Sequence, residues 1–150
     1  MSIGGYVGKI RENANQTTVI CDAGPIIHLD ELGCLDLLDD FSRVYVPETV
    51  AQEVARHRFD SFPLSLSKLE YVSAAPSVPI EIERLRKIFN LHLGEVEALS
   101  LAISSSDNIF LTDDTAARLA AKQLRIEVHG TIGIITRSIR AWTAKSRRSA

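Results

Sequence analysis

A chain of 150 residues has room for one domain around one sizeable core. With 45% hydrophobic and 24% charged residues its composition is that of an ordinary globular protein. A net charge of −2 argues against a general nucleic-acid binder, and no apolar stretch approaches the roughly 20 residues that a membrane-spanning helix needs.

Residues 1–17 are polar and Gly-bearing, with no apolar segment that could act as a secretory signal, and read as a flexible leader. A cytoplasmic location follows by default. Thr18-Val19-Ile20-Cys21 is a buried strand that runs into the turn signal Asp22-Ala23-Gly24-Pro25. Pro25 opens a short helical stretch through Leu29, and Leu32, Leu35, Leu37, Leu38 and Phe41 space out a second helix. Arg43 to Val46 is the second strand, with Pro47 at the favoured first position of a helix that reaches about His57 and buries Val50, Ala51 and Val54.

Arg58 to Lys68 is loop-like, Leu69 to Val72 a strand, and Ala74 to Pro79 its punctuation. Ile82, Leu85 and Phe89 recur at helical spacing, and Gly94 separates that helix from another over Glu95 to about Ser104. Asn108 to Thr112 is a strand ending at Asp113-Asp114, Thr115 to Leu124 a helix, Ile126 to Val128 a short strand, and Ile132 to Trp142 a helix. A basic tail occupies residues 143–150, leaving one domain over residues 18–142. Cys21 and Cys34, the only cysteines, read as small buried hydrophobes rather than a disulfide.

Strands alternating with helices imply a parallel sheet wrapped by helices, with its crevice at the carboxyl ends of the strands. Asp22 and Asp113-Asp114 both end strands. Asp22 follows an apolar run, where a charge needs a partner or a metal, although a helix N-cap would suit it too. On a helix wheel Glu95 falls near the centre of the face made by Val96, Ala98, Leu99, Leu101, Ala102 and Ile103, whereas Glu97 falls with Ser100 and Ser104 on the polar side. Glu53 borders the face of Val50 and Val54, and periodicity alone reads it as an exposed acid. Asp113 and Asp114 could cap the next helix, yet paired acids at a strand end attract a cation.

Oxygen-only ligation from several elements points to Mg²⁺ or Mn²⁺ rather than Zn²⁺. His28, His57, His92 and His129 lack close metal-binding spacing and read as incidental. There is no nucleophile-elbow motif and no phosphate-cradling Gly-rich loop. A phosphatase of the haloacid dehalogenase type wants a second Asp two residues past the first, where this chain has Gly24. Charge is also polarised along the chain. Cys21 to Ser42 holds six acids and no Lys or Arg, while Arg125 to Ala150 holds six Lys/Arg and one acid, Glu127.

From Val19 to Arg140 the chain resembles a PIN domain. Asp22 in Val19-Ile20-Cys21-Asp22-Ala23-Gly24-Pro25 matches the family's first acid, and Glu53 in Val46-Pro47-Glu48-Thr49-Val50-Ala51-Gln52-Glu53-Val54 its second. Glu95 in Leu93-Gly94-Glu95-Val96-Glu97 fits the third, with Glu97 a neighbouring alternative, and Leu111-Thr112-Asp113-Asp114 carries the fourth at either Asp. Asp113 to Arg118 followed by Gly130-Thr131-Ile132-Gly133 is similar to a prokaryotic subgroup of that family. The chain departs from such relatives after Trp142, where they usually continue with further apolar helix.

The resemblance implies a three-layer α/β/α fold around a central parallel sheet and a Mg²⁺- or Mn²⁺-dependent endoribonuclease. Asp22, Glu53, Glu95 and Asp114 would be catalytic, and Asp22, Glu53, Glu95, Asp113 and Asp114 metal-binding. It implies an RNA substrate, with a small antitoxin protein and a second copy of the chain as candidate partners, because many relatives are toxins of toxin–antitoxin pairs. Arg118 or the C-terminal Arg/Lys set would hold the phosphate backbone, unless Arg118 only neutralises the acids. The alternative is a PIN-like fold used as a catalytically weak or inactive protein-binding module.

Overall fold

The computed structural model describes residues 17–57, 69–73 and 77–149. Its elements in chain order are β1 (Thr18–Cys21), α1 (Ala23–Glu31), a 3₁₀ turn η1 (Leu35–Asp40), β2 (Arg43–Pro47), α2 (Glu48–His57) and β3 (Leu69–Val72). There follow α3 (Ile80–Phe89), α4 (Leu93–Ala102), β4 (Ile109–Leu111), α5 (Thr115–Gln123), β5 (Glu127–His129) and α6 (Thr131–Ser149). The five strands form one sheet in the order β3-β2-β1-β4-β5. Every pairing is parallel.

Apolar strands with little alternation suit a parallel sheet because both of its faces are covered. Val19, Cys21, Val44, Val46, Ile109 and Leu111 point to one face, where Ile26, Leu29, Leu38, Val50, Val54 and Ile134 cover them. Ile20 and Phe110 point to the other, under Ile82, Val96, Leu99, Ala102, Ala117 and Ala121. This is the expected three-layer α/β/α arrangement. Both cysteines are free, and burial holds the Cys21 thiol well above its usual range, so it packs as a small hydrophobe.

Several boundaries differ from the sequence reading. Helix α1 starts at Ala23 rather than Pro25, because Asp22 caps it. The second helix expected over Leu32–Phe41 is only the short η1. Gly33 turns the chain at φ 71°, a conformation open to glycine, and so separates Leu32, which caps the end of α1, from the leucines that follow. Pro47 closes β2, paired with Val72, and α2 begins one residue later. Gly94 lies inside α4 instead of before it, and the break falls at Asn90, which is left-handed at φ 53°. At Gly94 a Cβ would stand 3.2 Å from Val50 Cγ2, so the small residue serves the close packing of α4 on α2. Helix α6 does not stop near Trp142 but continues to Ser149. The loop expected over Arg58–Lys68 and the Ala74–Pro76 part of the later punctuation lie outside the described residues. Among the described residues no helix is long and apolar enough to cross a membrane.

Candidate metal centre

Parallel register brings the strand ends to one edge. Cys21 pairs with Leu111, and Leu111 with His129, so the residues that follow them, Asp22, Thr112 and Gly130, stand side by side. The Asp22 backbone N–H donates to Leu111 O (2.8 Å), and that of Thr112 to His129 O (2.9 Å). Asp22 is 7% exposed. Its Oδ1 accepts from the Ala23 N–H (2.9 Å) and its Oδ2 from the Thr112 hydroxyl (2.7 Å). The Thr112 Oγ1 in turn accepts from the Asp114 N–H (3.1 Å), so one buried hydroxyl orders both acids. Burial raises the Asp22 pKa, the two hydrogen bonds oppose that, and the charges of Glu53 and Asp114 raise it further.

Glu95 enters from the first turn of α4 and is 6% exposed. Its Oε1 accepts from the His92 N–H (3.3 Å). Its Oε2 is buried without a well-formed hydrogen bond, and the carboxyl lies within reach of that of Asp114. Burial first, then the charges of Asp114 and Asp22, push its pKa up to about 7. Glu53 is half-buried on α2 and close enough to Asp22 to act on its charge. Asp114 caps α5 by accepting from the Ala117 N–H (2.8 Å) and stays exposed.

The neighbouring Asp113 faces elsewhere. Its Oδ1 accepts from the Thr131 N–H (2.7 Å), and its Oδ2 meets the Thr131 hydroxyl (2.5 Å) and His28 Nδ1 (2.7 Å). Burial would raise its pKa, but the Thr131 and His28 hydrogen bonds win and hold it below the usual carboxylate range. A Cβ on Gly130 would lie 2.7 Å from both Asp113 Oδ1 and Arg118 Nη1, so that corner is closed around Asp113. Arg118 reaches the Thr112 carbonyl (3.4 Å) within it. Asp113 is therefore a clamp that ties β4 to α1 and α6.

Asp22, Glu53, Glu95 and Asp114 are thus coupled across β1, α2, α4 and the β4–α5 junction, and Asp113 stands apart. His28, which lacks metal-binding spacing, is Asp113's partner. Glu97 differs from its expected solvent-facing position: it is half-buried, and its Oε2 is buried without a partner. The reason is that α4 is covered almost all round, by α2 and α3 as well as the sheet. Thr112, Gly130 and Thr131 stood in the motifs quoted from the sequence, but no role was assigned to them there. The signals were the family-like motif Gly130-Thr131-Ile132-Gly133 and the place of Thr112 between an apolar strand and two acids.

The donor set suits a hard divalent cation. The charges of neighbouring carboxylates raise the pKa of both Asp22 and Glu95, the mark of like charges sharing one site, and oxygen ligands of this kind fit such a cation. Among the described residues no three His, Cys, Asp or Glu side chains already stand at ligand spacing. A family model described as a PIN domain matches residues 18–147. No curated protein matches the chain significantly.

Proposed function

The chain belongs to the PIN-domain family, a nuclease-type fold, and on that premise we propose that it is a divalent-metal-dependent ribonuclease hydrolysing RNA phosphodiester bonds. The observation that carries the proposal is the buried Glu95 Oε2, without a well-formed hydrogen bond, in a site shared with Asp22 and Asp114. Asp22, Glu53, Glu95 and Asp114 would hold Mg²⁺ or Mn²⁺. The bound ion supplies a water acidic enough to attack at neutral pH and charge to stabilise the leaving oxygen.

The chain's own residues prepare that site. The Thr112 hydroxyl fixes the rotamer of Asp22 by donating to Oδ2, and the α1 N-terminus holds Oδ1. The His92 N–H orients Glu95 so that Oε2 faces the other acids. The Asp113 clamp holds the β4–α5 junction and thereby the place of Asp114. The toxin role in a toxin–antitoxin pair, acting in the cytoplasm, belongs to this proposal and rests on the resemblance of the motifs alone.

The test is cleavage of a single-stranded RNA with Mn²⁺, with excess EDTA, and by Asp22→Asn. Asp22→Asn keeps the shape and an acceptor for the Ala23 N–H, and the Thr112 hydroxyl loses its acceptor at a modest cost, so the fold should persist while cleavage is lost. Cleavage that survives EDTA unchanged would refute the metal site. A folded parent that binds Mn²⁺ yet cuts no RNA would favour the protein-binding module.

A further inference from the structure

Helix α5 ends in a conformation that suits glycine and holds arginine. Leu124 caps the helix, the Arg125 N–H bonds to Lys122 O (3.1 Å) and the Ile126 N–H to Ala121 O (2.9 Å). This pair of bonds is a Schellman ending, which sets the residue after the cap in the left-handed region. The same two bonds close α1, from the Gly33 N–H to Asp30 O (3.0 Å) and from the Cys34 N–H to Leu29 O (2.9 Å), and there the left-handed residue is glycine at φ 71°. After α5 it is Arg125, at φ 58°, where a Cβ crowds the backbone. Arg125 is exposed and makes no ion pair with a described residue, so neither burial nor a salt bridge offsets the strain. A strained residue kept in the open points to a use for its side chain.

Arg125 completes a line of cations. Arg118, Lys122 and Arg125 follow at steps of four and three, along one flank of α5 and into its cap. The line starts at the carboxylates, because α5 opens on Asp114 and the Arg118 N–H bonds to Asp114 O (2.9 Å). It runs beside β5, the last strand of the sheet. From the opposite layer α6 lays Gly133 against His129, where a Cβ would stand 3.7 Å away, and Arg140 follows two turns along the same stripe. Lys122 and Arg140 are exposed and, like Arg125, make no ion pair with a described residue. Between Thr115 and Ala150 the one acid is Glu127, and its side chain is only 11% exposed.

We propose that this flank is the track on which a single-stranded RNA leaves the carboxylate site, its phosphates held by Lys122 and Arg125 from α5 and by Arg140 across the β5 edge. Arg118, turned to the Thr112 carbonyl (3.4 Å), marks the start of the track. With a net charge of −2 over the whole chain, attraction for a polyanion has to be local, and this surface supplies it. The choice of RNA rests on the nuclease reading, whereas the strain at Arg125 and the unpaired cations do not depend on it.

The test is fluorescence anisotropy of a labelled single-stranded RNA in EDTA, where no metal-dependent cleavage intervenes, at several salt concentrations and beside thermal denaturation. Arg125→Gly should move the two readouts in opposite directions. It relieves the left-handed residue and should raise Tm by roughly 2–6 °C. It also removes one phosphate contact, so affinity should fall roughly fivefold at about 0.1 M salt and the salt slope by about 0.7. Lys122→Ala and Arg140→Ala should lose affinity in the same way, and Lys87→Ala, an exposed cation on α3, should lose none. A parent that binds no RNA, an Arg125→Gly chain that binds it as the parent does, or a loss that Lys87→Ala shares overturns the track. Polyglutamate held as tightly as RNA by the same cations overturns it too, and would assign the flank to an acidic protein. Cleavage with Mn²⁺ by a parent whose Arg125→Gly variant binds unchanged would leave the nuclease reading standing without the track. RNA held through Arg125 by a chain that never cuts it would do the reverse.

Discussion

Replacing Glu95 by Gln should make the metal-free protein more stable at pH 8 and leave it little changed at pH 5. Burial and the charges of Asp114 and Asp22 raise the Glu95 pKa from an ordinary 4.5 to about 7. The fold therefore keeps a proton that the unfolded chain releases between those values. The unfolded state binds fewer protons across this window, so stability falls as pH rises through it. A shift of that size corresponds to about 3 kcal/mol, at 1.36 kcal/mol for each pH unit. Gln stays neutral and keeps an Oε1 acceptor for the His92 N–H. Its amide can donate toward the carboxylates where Oε2 now has no well-formed hydrogen bond. At pH 8 in EDTA the variant should thus gain up to about 3 kcal/mol, or roughly 6–12 °C in Tm for a domain of this size. Mn²⁺ should stabilise the parent and do far less for the variant. Thermal denaturation followed by circular dichroism at pH 5 and pH 8, with EDTA and with Mn²⁺, measures all four values. A variant less stable than the parent at pH 8 in EDTA would mean that Glu95 is a structural cap and that the acids do not repel one another there.

The two adjacent aspartates should separate cleanly. Asp113→Ala leaves the Thr131 N–H and hydroxyl and the His28 ring without their acceptor, and should lower stability by about 2–4 kcal/mol in urea unfolding. Asp114→Asn keeps its cap on Ala117 and should change stability by less than about 1 kcal/mol, while calorimetry shows weakened Mn²⁺ binding. Equal effects at both positions would contradict the division between clamp and site. Glu97→Gln should leave Mn²⁺ affinity near that of the parent, against a large loss for Glu95→Gln. Because Glu97 Oε2 is buried and unpartnered, the Gln variant should not lose stability. An equal loss of affinity in both variants would place Glu97 among the ligands.

The order of strands and helices was legible in the sequence because it rests on local chemistry. Apolar runs such as Val19-Ile20-Cys21 and Ile109-Phe110-Leu111 can only be buried, and acids closing such runs must stand at an edge. The wheel placed Glu95 inward for the same reason, since one covered face suffices to decide it. Glu97 defeated the wheel because α4 is covered on several sides, and that depends on where α2 and α3 pack. The choice between Asp113 and Asp114 is likewise tertiary. Both follow the same strand and both suit a cap, but Thr131 and His28, distant in sequence, claim Asp113 and leave Asp114 facing Glu95 and Asp22. Glu53 read as a surface acid by periodicity and joined the others only through family motifs, because its neighbour Asp22 lies on another element.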